Sequence, residues 1–99
     1  MSARITRLLG LGVRAGNVVI GVAGVRAGLQ RGKVVCVVLA ADAGPRTIEK
    51  VARLAQARDV PVLRGPPAEE LGSSLGRPPV QAVGVADRAL ARGLMSVEE

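Results

Sequence analysis

The sequence has no Phe, Tyr, Trp or His and a single Cys. Without aromatics the core must be built from branched aliphatics and Ala. No ring is available on which a nucleobase can stack, which argues against RNA-recognition motifs, OB-folds and cold-shock domains. Without histidine, Ser-His-Asp triads, Cys-His dyads and His-containing zinc sites are excluded. Cys36 has no partner for an intramolecular disulfide and lies in the apolar run 34–39, where a buried, inert thiol is expected. No apolar run reaches the ~18 residues of a membrane span. The basic start, residues 1–10, lacks the apolar segment and cleavage pattern of a signal peptide. A soluble chain in a reducing, cytoplasmic setting is expected.

Acidic residues are missing from the first third. Residues 1–33 carry Arg4, Arg7, Arg14, Arg26, Arg31 and Lys33 and no Asp or Glu, whereas residues 34–99 balance eight bases with eight acids. The whole net charge of +6 therefore comes from the first third. Only Lys33 and Lys50 among the bases are not Arg, the residue suited to phosphate forks. A one-sided basic segment on a balanced remainder points to a polyanionic partner. With 99 residues, 48% of them apolar, one domain spanning 1–99 is expected.

Hydrophobic periodicity divides the chain into alternating elements. Ile5, Leu8, Leu9 and Val13 share a helical face, and Gly16 is a stop. Residues 18–20 read as a short strand. Gly21 opens a second helix in which Val22, Val25 and Leu29 share a face, and Gly32 closes it. Residues 34–41 form a continuous apolar run, as expected of a central strand covered on both faces. Asp42-Ala43-Gly44-Pro45 turns into a helix with buried Ile48, Val51, Ala52, Leu54 and Ala55 and a surface Glu49–Arg53 pair. Residues 60–63 are a strand, 64–67 a loop, 68–75 a helix stopped by Gly76, and 80–86 the last strand. Asp87 caps a final helix, 88–95. This alternation implies an α/β fold with a partly parallel sheet and helices on both faces.

Catalytic chemistry is thin. Gly10-Leu11-Gly12-Val13-Arg14-Ala15 fits a loose dinucleotide fingerprint, but a helix, not a strand, precedes it, and no acid occurs before Asp42. Glu69 and Glu70, adjacent on a helix, diverge too far to share a substrate, and read as first-turn acids favoured by the macrodipole. No nucleophile, base and oxyanion hole come together. The pentapeptide Gly-Val-Arg-Ala-Gly at 12–16 and 24–28 is too short to signal a repeat architecture. A non-enzyme without cofactor or metal is expected.

Several short motifs occur in a familiar order. They are Leu8-Leu9-Gly10-Leu11, Arg14-Ala15-Gly16, Gly21 and Arg31-Gly32-Lys33, followed by Leu39-Ala40-Ala41-Asp42-Ala43 and Val60-Pro61-Val62. Glu70-Leu71-Gly72-Ser73-Ser74-Leu75-Gly76 and Val83-Gly84-Val85-Ala86-Asp87 complete the series. Over about residues 5–95 this order resembles the ribosomal protein family of archaeal L7Ae, eukaryotic L30e and Gadd proteins, and within it the bacterial YlxQ-type branch. The resemblance implies a three-layer α-β-α sandwich with a four-stranded mixed sheet, and a kink-turn-type RNA surface at the start of the second helix and the loop at 63–67. It implies a ribonucleoprotein role linked to translation, with ribosomal or other structured RNA as partner, ribosomal or translation proteins as neighbours, and a monomer when free. The candidate RNA-binding set is Arg14, Asn17, Gly21, Ala23, Gly24, Arg26, Ala27, Arg31, Lys33, Arg64, Gly65 and Pro66. A protein-interaction module docking on the same small-residue surface is the alternative.

The chain departs from the family motif at the positions that read bases. Ala23, Gly24 and Ala27 stand where the resemblance would place Asn, Glu and Lys. Backbone N–H groups and Arg remain, and these grip phosphate without reading sequence. The expected preference for a standard kink-turn over a plain RNA duplex is no more than about tenfold, ~1.4 kcal/mol. Titration of both RNAs at one salt concentration checks this. A hundredfold preference would mean that the helix start recognises the kink by shape alone.

Overall fold

The computed structural model describes residues 3–96. The ends of the expected 1–99 domain, residues 1–2 and 97–99, lie outside the described residues. In chain order the elements are α1 (Ala3–Ala15), β1 (Val18–Ile20), α2 (Val22–Gln30), β2 (Cys36–Leu39), α3 (Pro45–Ala57), β3 (Val62–Arg64), α4 (Ala68–Ser74), β4 (Ala82–Val85) and α5 (Arg88–Met95). The strands form one sheet in the order β1-β4-β2-β3. Its mixed character follows from β2 pairing parallel with β3 and antiparallel with β4, which also pairs antiparallel with β1.

Strand alternation divides the core into two layers. Cys36, Val38, Val83 and Val85 join Ile5 and Leu9 of α1, Leu71 of α4 and Ala91 and Leu94 of α5. Val37, Leu39 and Ala82 join Val25 and Leu29 of α2 and Val51 and Ala55 of α3. The expected three-layer α-β-α sandwich is therefore present, with β2 buried on both faces.

Three expected strand boundaries need correction. The run 34–41 narrows to β2, because Ala41 turns away to donate its N–H to Pro66 O. The strand expected at 60–63 is Val62–Arg64. Its first expected residue, Val60, donates to Ala55 O and closes α3 instead. The strand expected at 80–86 is Ala82–Val85, since the Val80 N–H is held by Ala68 O at the start of α4.

Helix ends follow a shared motif. Gly16, Gly32 and Gly76 have φ near +70° and close α1, α2 and α4 with paired backbone bonds. Asp59, at φ 56°, takes that place after α3, a stop the sequence reading did not identify. The two other aspartates named above act as caps. Asp87 accepts from Leu90 N at 2.8 Å, and Asp42 reaches across the chain to accept from Ala68 N at 2.8 Å.

Burial pushes the Cys36 thiol from 9.0 up to about 11. The folded protein keeps this proton at pH values where the unfolded chain releases it. Stabilisation is complete below about pH 9 and is lost as pH rises through about 11. Urea melts at pH 8 and pH 10 should show stability falling by up to ~1.4 kcal/mol per pH unit, and less steeply in Cys36→Ala. Equal slopes in the two proteins would contradict a buried thiol.

Candidate nucleic-acid interface

The sheet has two ends. At the upper end β1, β2 and β3 finish and β4 begins; the lower end is the reverse. Gly21 lies at the upper end, where its N–H donates to Ala82 O at 2.9 Å and its carbonyl accepts from Val25 N. It is the N-cap of α2, with φ 102° and ψ 155°, a conformation essentially restricted to glycine. A cleft of about 420 Å³ opens beside it. Gly21, Val22 and Arg26 form one wall, Arg46, Thr47 and Lys50 of α3 the second, and Pro79, Val80 and Gln81 the third.

The third wall is held in place by α4. The connector after α4 folds back so that Val80 N–H reaches Ala68 O, and a Cβ on Gly72 would run into the Pro78 carbonyl. Glycine at 72 thus allows the connector to lie against the helix and brings residues 79–81 to the cleft.

Electrostatically the cleft is one-signed. Among the described residues its lining includes three cations and no carboxylate. Neither α2 nor α3 has an acid in its first turn, so both helices present unneutralised N-terminal ends near it. Arg26 is half-buried, and its Nε is a buried nitrogen without a hydrogen-bond partner. Arg26 also borders a hollow of about 470 Å³ between α2 and α3, with Glu49 and Arg53. Those two residues neutralise each other at 2.8 Å. The uncompensated charge is thus concentrated on Arg26, Arg46 and Lys50.

The structure separates the candidate residues into groups. Gly21 and Arg26 share the cleft. Ala23 is exposed and Ala27 half-buried on the same helix. Gly24 faces the sheet, where an added Cβ would lie 2.6 Å from Val19 Cγ1, so its size serves helix–sheet packing. Arg64, Gly65 and Pro66 are also at the upper end, but at the end of β3 and just after it, and β3 lies three strand spacings or about 14 Å from β1. There Arg64 donates to Ala41 O at 3.1 Å, Gly65 N to Leu39 O, and Pro66 is buried. Arg14, Asn17, Arg31 and Lys33 lie at the lower end, with Arg31 and Gly21 at opposite ends of the nine-residue α2, about 14 Å long.

Sequence reasoning missed Arg46, Thr47, Lys50 and the 79–81 wall. Pro45 marked the start of α3, and the i,i+4 spacing of Arg46 and Lys50 placed them on one face. That this face meets α2 is tertiary information. The glycine fingerprint at 10–15 falls within α1 and its last turn, not on a strand-to-helix turn. Among the described residues no group of three or more His, Cys, Asp or Glu is placed to hold a metal. No helix among them is long and apolar enough to cross a membrane.

The five-helix, four-stranded α/β layout has clear counterparts. Residues 3–94 match the model of the ribosomal protein L7Ae/L30e/S12e/Gadd45 family, and the chain belongs to that family. It is similar to a solved protein of unknown function from Bacillus halodurans, with 29% identity and a TM-score of 0.89 over 97% of this chain and 96% of that one. It also resembles in fold the Giardia lamblia 15.5kD RNA binding protein, at 22% identity and a TM-score of 0.78 over 95% and 81% of the two chains. No curated protein matches the sequence.

Proposed function

We propose that this protein is a non-catalytic RNA binder that holds the phosphate backbone of ribosomal or other structured RNA in the upper cleft. The observation that carries the reading is the convergence of Arg26, Arg46 and Lys50 on a cleft with no lining carboxylate among the described residues. Membership of the L7Ae/L30e/S12e/Gadd45 family supports it. Arg26 supplies a guanidinium whose Nε still lacks a partner, and Arg46 and Lys50 add charge from the opposite wall. Backbone N–H groups at the start of α2 can complete the coordination of a phosphate. The apolar wall of Pro79 and Val80 can receive a sugar or base edge but supplies no aromatic face. Among the described residues, the lining's one side-chain hydroxyl, on Thr47, shares the cleft with no histidine or carboxylate that could activate it. The setting we propose is cytoplasmic, within a ribonucleoprotein connected with translation.

Salt-dependent titration of a structured RNA tests the reading. The triple variant Arg26→Gln, Arg46→Gln, Lys50→Gln should lose at least about tenfold in affinity at moderate salt. Its slope of log affinity against log salt should fall by about 2, because each neutralised phosphate contributes roughly 0.7–0.9. Stability should change little at the two exposed positions, by under about 0.5 kcal/mol each. Unchanged affinity and slope would remove the cleft from RNA binding. Partner capture that is insensitive to salt would instead favour protein docking.

A further inference from the structure

Of the six basic residues in the acid-poor first third, only Arg26 lines the upper cleft. Arg14 lies in the last turn of α1, Arg31 caps the C-terminus of α2 and Lys33 follows it; all three are exposed at the lower end. Chain topology brings more bases to them. Arg58 follows α3 and Arg88 begins α5. These two side chains border one hollow of about 320 Å³, with Gly32 between Arg31 and Lys33 at its edge. An adjoining hollow of about 180 Å³ shares Val35 and Arg88 and adds Arg92. Among the described residues the acids nearby are Asp59, exposed in the first hollow, and Asp87, already engaged in capping Leu90 N.

Local helix chemistry accounts for part of this cluster only. Cations at the C-terminal ends of α1, α2 and α3 complement the helix dipoles, and Arg58 donates to Gln30 O at 2.7 Å. Arg88 has the opposite placement. It is the first residue of α5, where the helix end is already positive. Arg88 nevertheless borders the same hollow as Arg58. Lys33 lies outside any helix. A cluster of guanidinium groups that works against one helix dipole is suited to an external anion. Its Arg content favours phosphate.

We propose that the lower end is a second RNA-backbone surface, so that a single copy of the chain holds two RNA segments, one at each end. The proposal rests on the RNA reading of the upper cleft. The molecule measures 29 × 28 × 24 Å, so the two ends lie farther apart than the ~8–10 Å over which salt leaves exposed charges coupled. Each end therefore interacts with its own strand independently, and the protein acts as a spacer and clamp between RNA segments.

A sandwich assay on the full chain tests this. One short RNA duplex is immobilised, protein is added, and capture of a second, fluorescent duplex is measured; native mass spectrometry gives the stoichiometry. The expected result is capture of the second duplex and a complex of one protein with two duplexes. Arg31→Gln, Lys33→Gln, Arg88→Gln should still bind the immobilised duplex but lose about tenfold or more of the second capture. A wild-type complex of one protein with one duplex, without capture of the second, would overturn the proposal and leave the upper cleft intact as an RNA site. Undiminished capture by this variant would also overturn it, assigning the bridge to paired upper clefts. Failure of the wild type to bind any duplex would remove the underlying RNA reading itself. The stoichiometry of the wild type decides the matter even if a variant fails to fold.

Discussion

The close seat of α2 on the sheet rests on one buried wedge. Val34, just before β2, lies between Gly28 of α2 and Gly84 of β4. A Cβ on Gly28 would stand 2.5 Å from one Val34 methyl, and a Cβ on Gly84 3.0 Å from the same methyl and 3.3 Å from the other. With backbone on both sides, the branched side chain has nowhere to move. Gly24 makes a similar approach to Val19 one turn earlier. Together these contacts draw α2 onto the sheet, so that Gly21 N–H can reach Ala82 O and the first turn of α2 faces that of α3.

That seat also accounts for glycine at position 24, where the resemblance would place Glu. At position 24 the space is filled by Val19, so a long polar side chain there would have to displace β1. The helix has given up side-chain contacts at this point in favour of packing. Charge near the start of α2 is supplied instead by Arg26 and by Arg46 and Lys50 of α3, which under the proposed function would grip phosphate and not base edges. At the other end of the sheet, helices terminate before their strands begin, and their C-terminal residues collect a second set of bases. The two charged ends thus arise from one topology in which helices and strands alternate.

Much of the fold was legible because its signals are local. The buried periodicity of α1 and α3, the apolar run of β2, the glycine stops at 16, 32 and 76 and the Asp87 cap all depend on residues a few positions apart. The strand limits at 60–63 and 80–86 were read too early because Val60 and Val80 are apolar yet spend their N–H groups on neighbouring helices. The repeated Gly-Val-Arg-Ala-Gly shows how local signals fail. Its final glycine ends α1 at Gly16 but continues α2 at Gly28, where Val34 packs over it. The site was less legible than the fold. Proximity in sequence grouped Arg14, Arg31 and Lys33 with Gly21, whereas the sheet places them at its opposite end. It also brings Arg46 and Lys50 to Gly21 from another helix.

The interlock of Gly28 with Val34 is open to a double-mutant cycle of Gly28→Ala and Val34→Ala, followed by urea unfolding. Ala at 28 should gain up to about 1 kcal/mol of helix propensity. Against Val34 it should lose more than that through overpacking, which costs ~1–3 kcal/mol. Gly28→Ala is therefore expected to destabilise the wild type and to be neutral or stabilising beside Val34→Ala, a coupling of at least about 1 kcal/mol. Additive effects, within about 0.5 kcal/mol, would contradict the wedge as the contact that seats α2 and shapes the cleft.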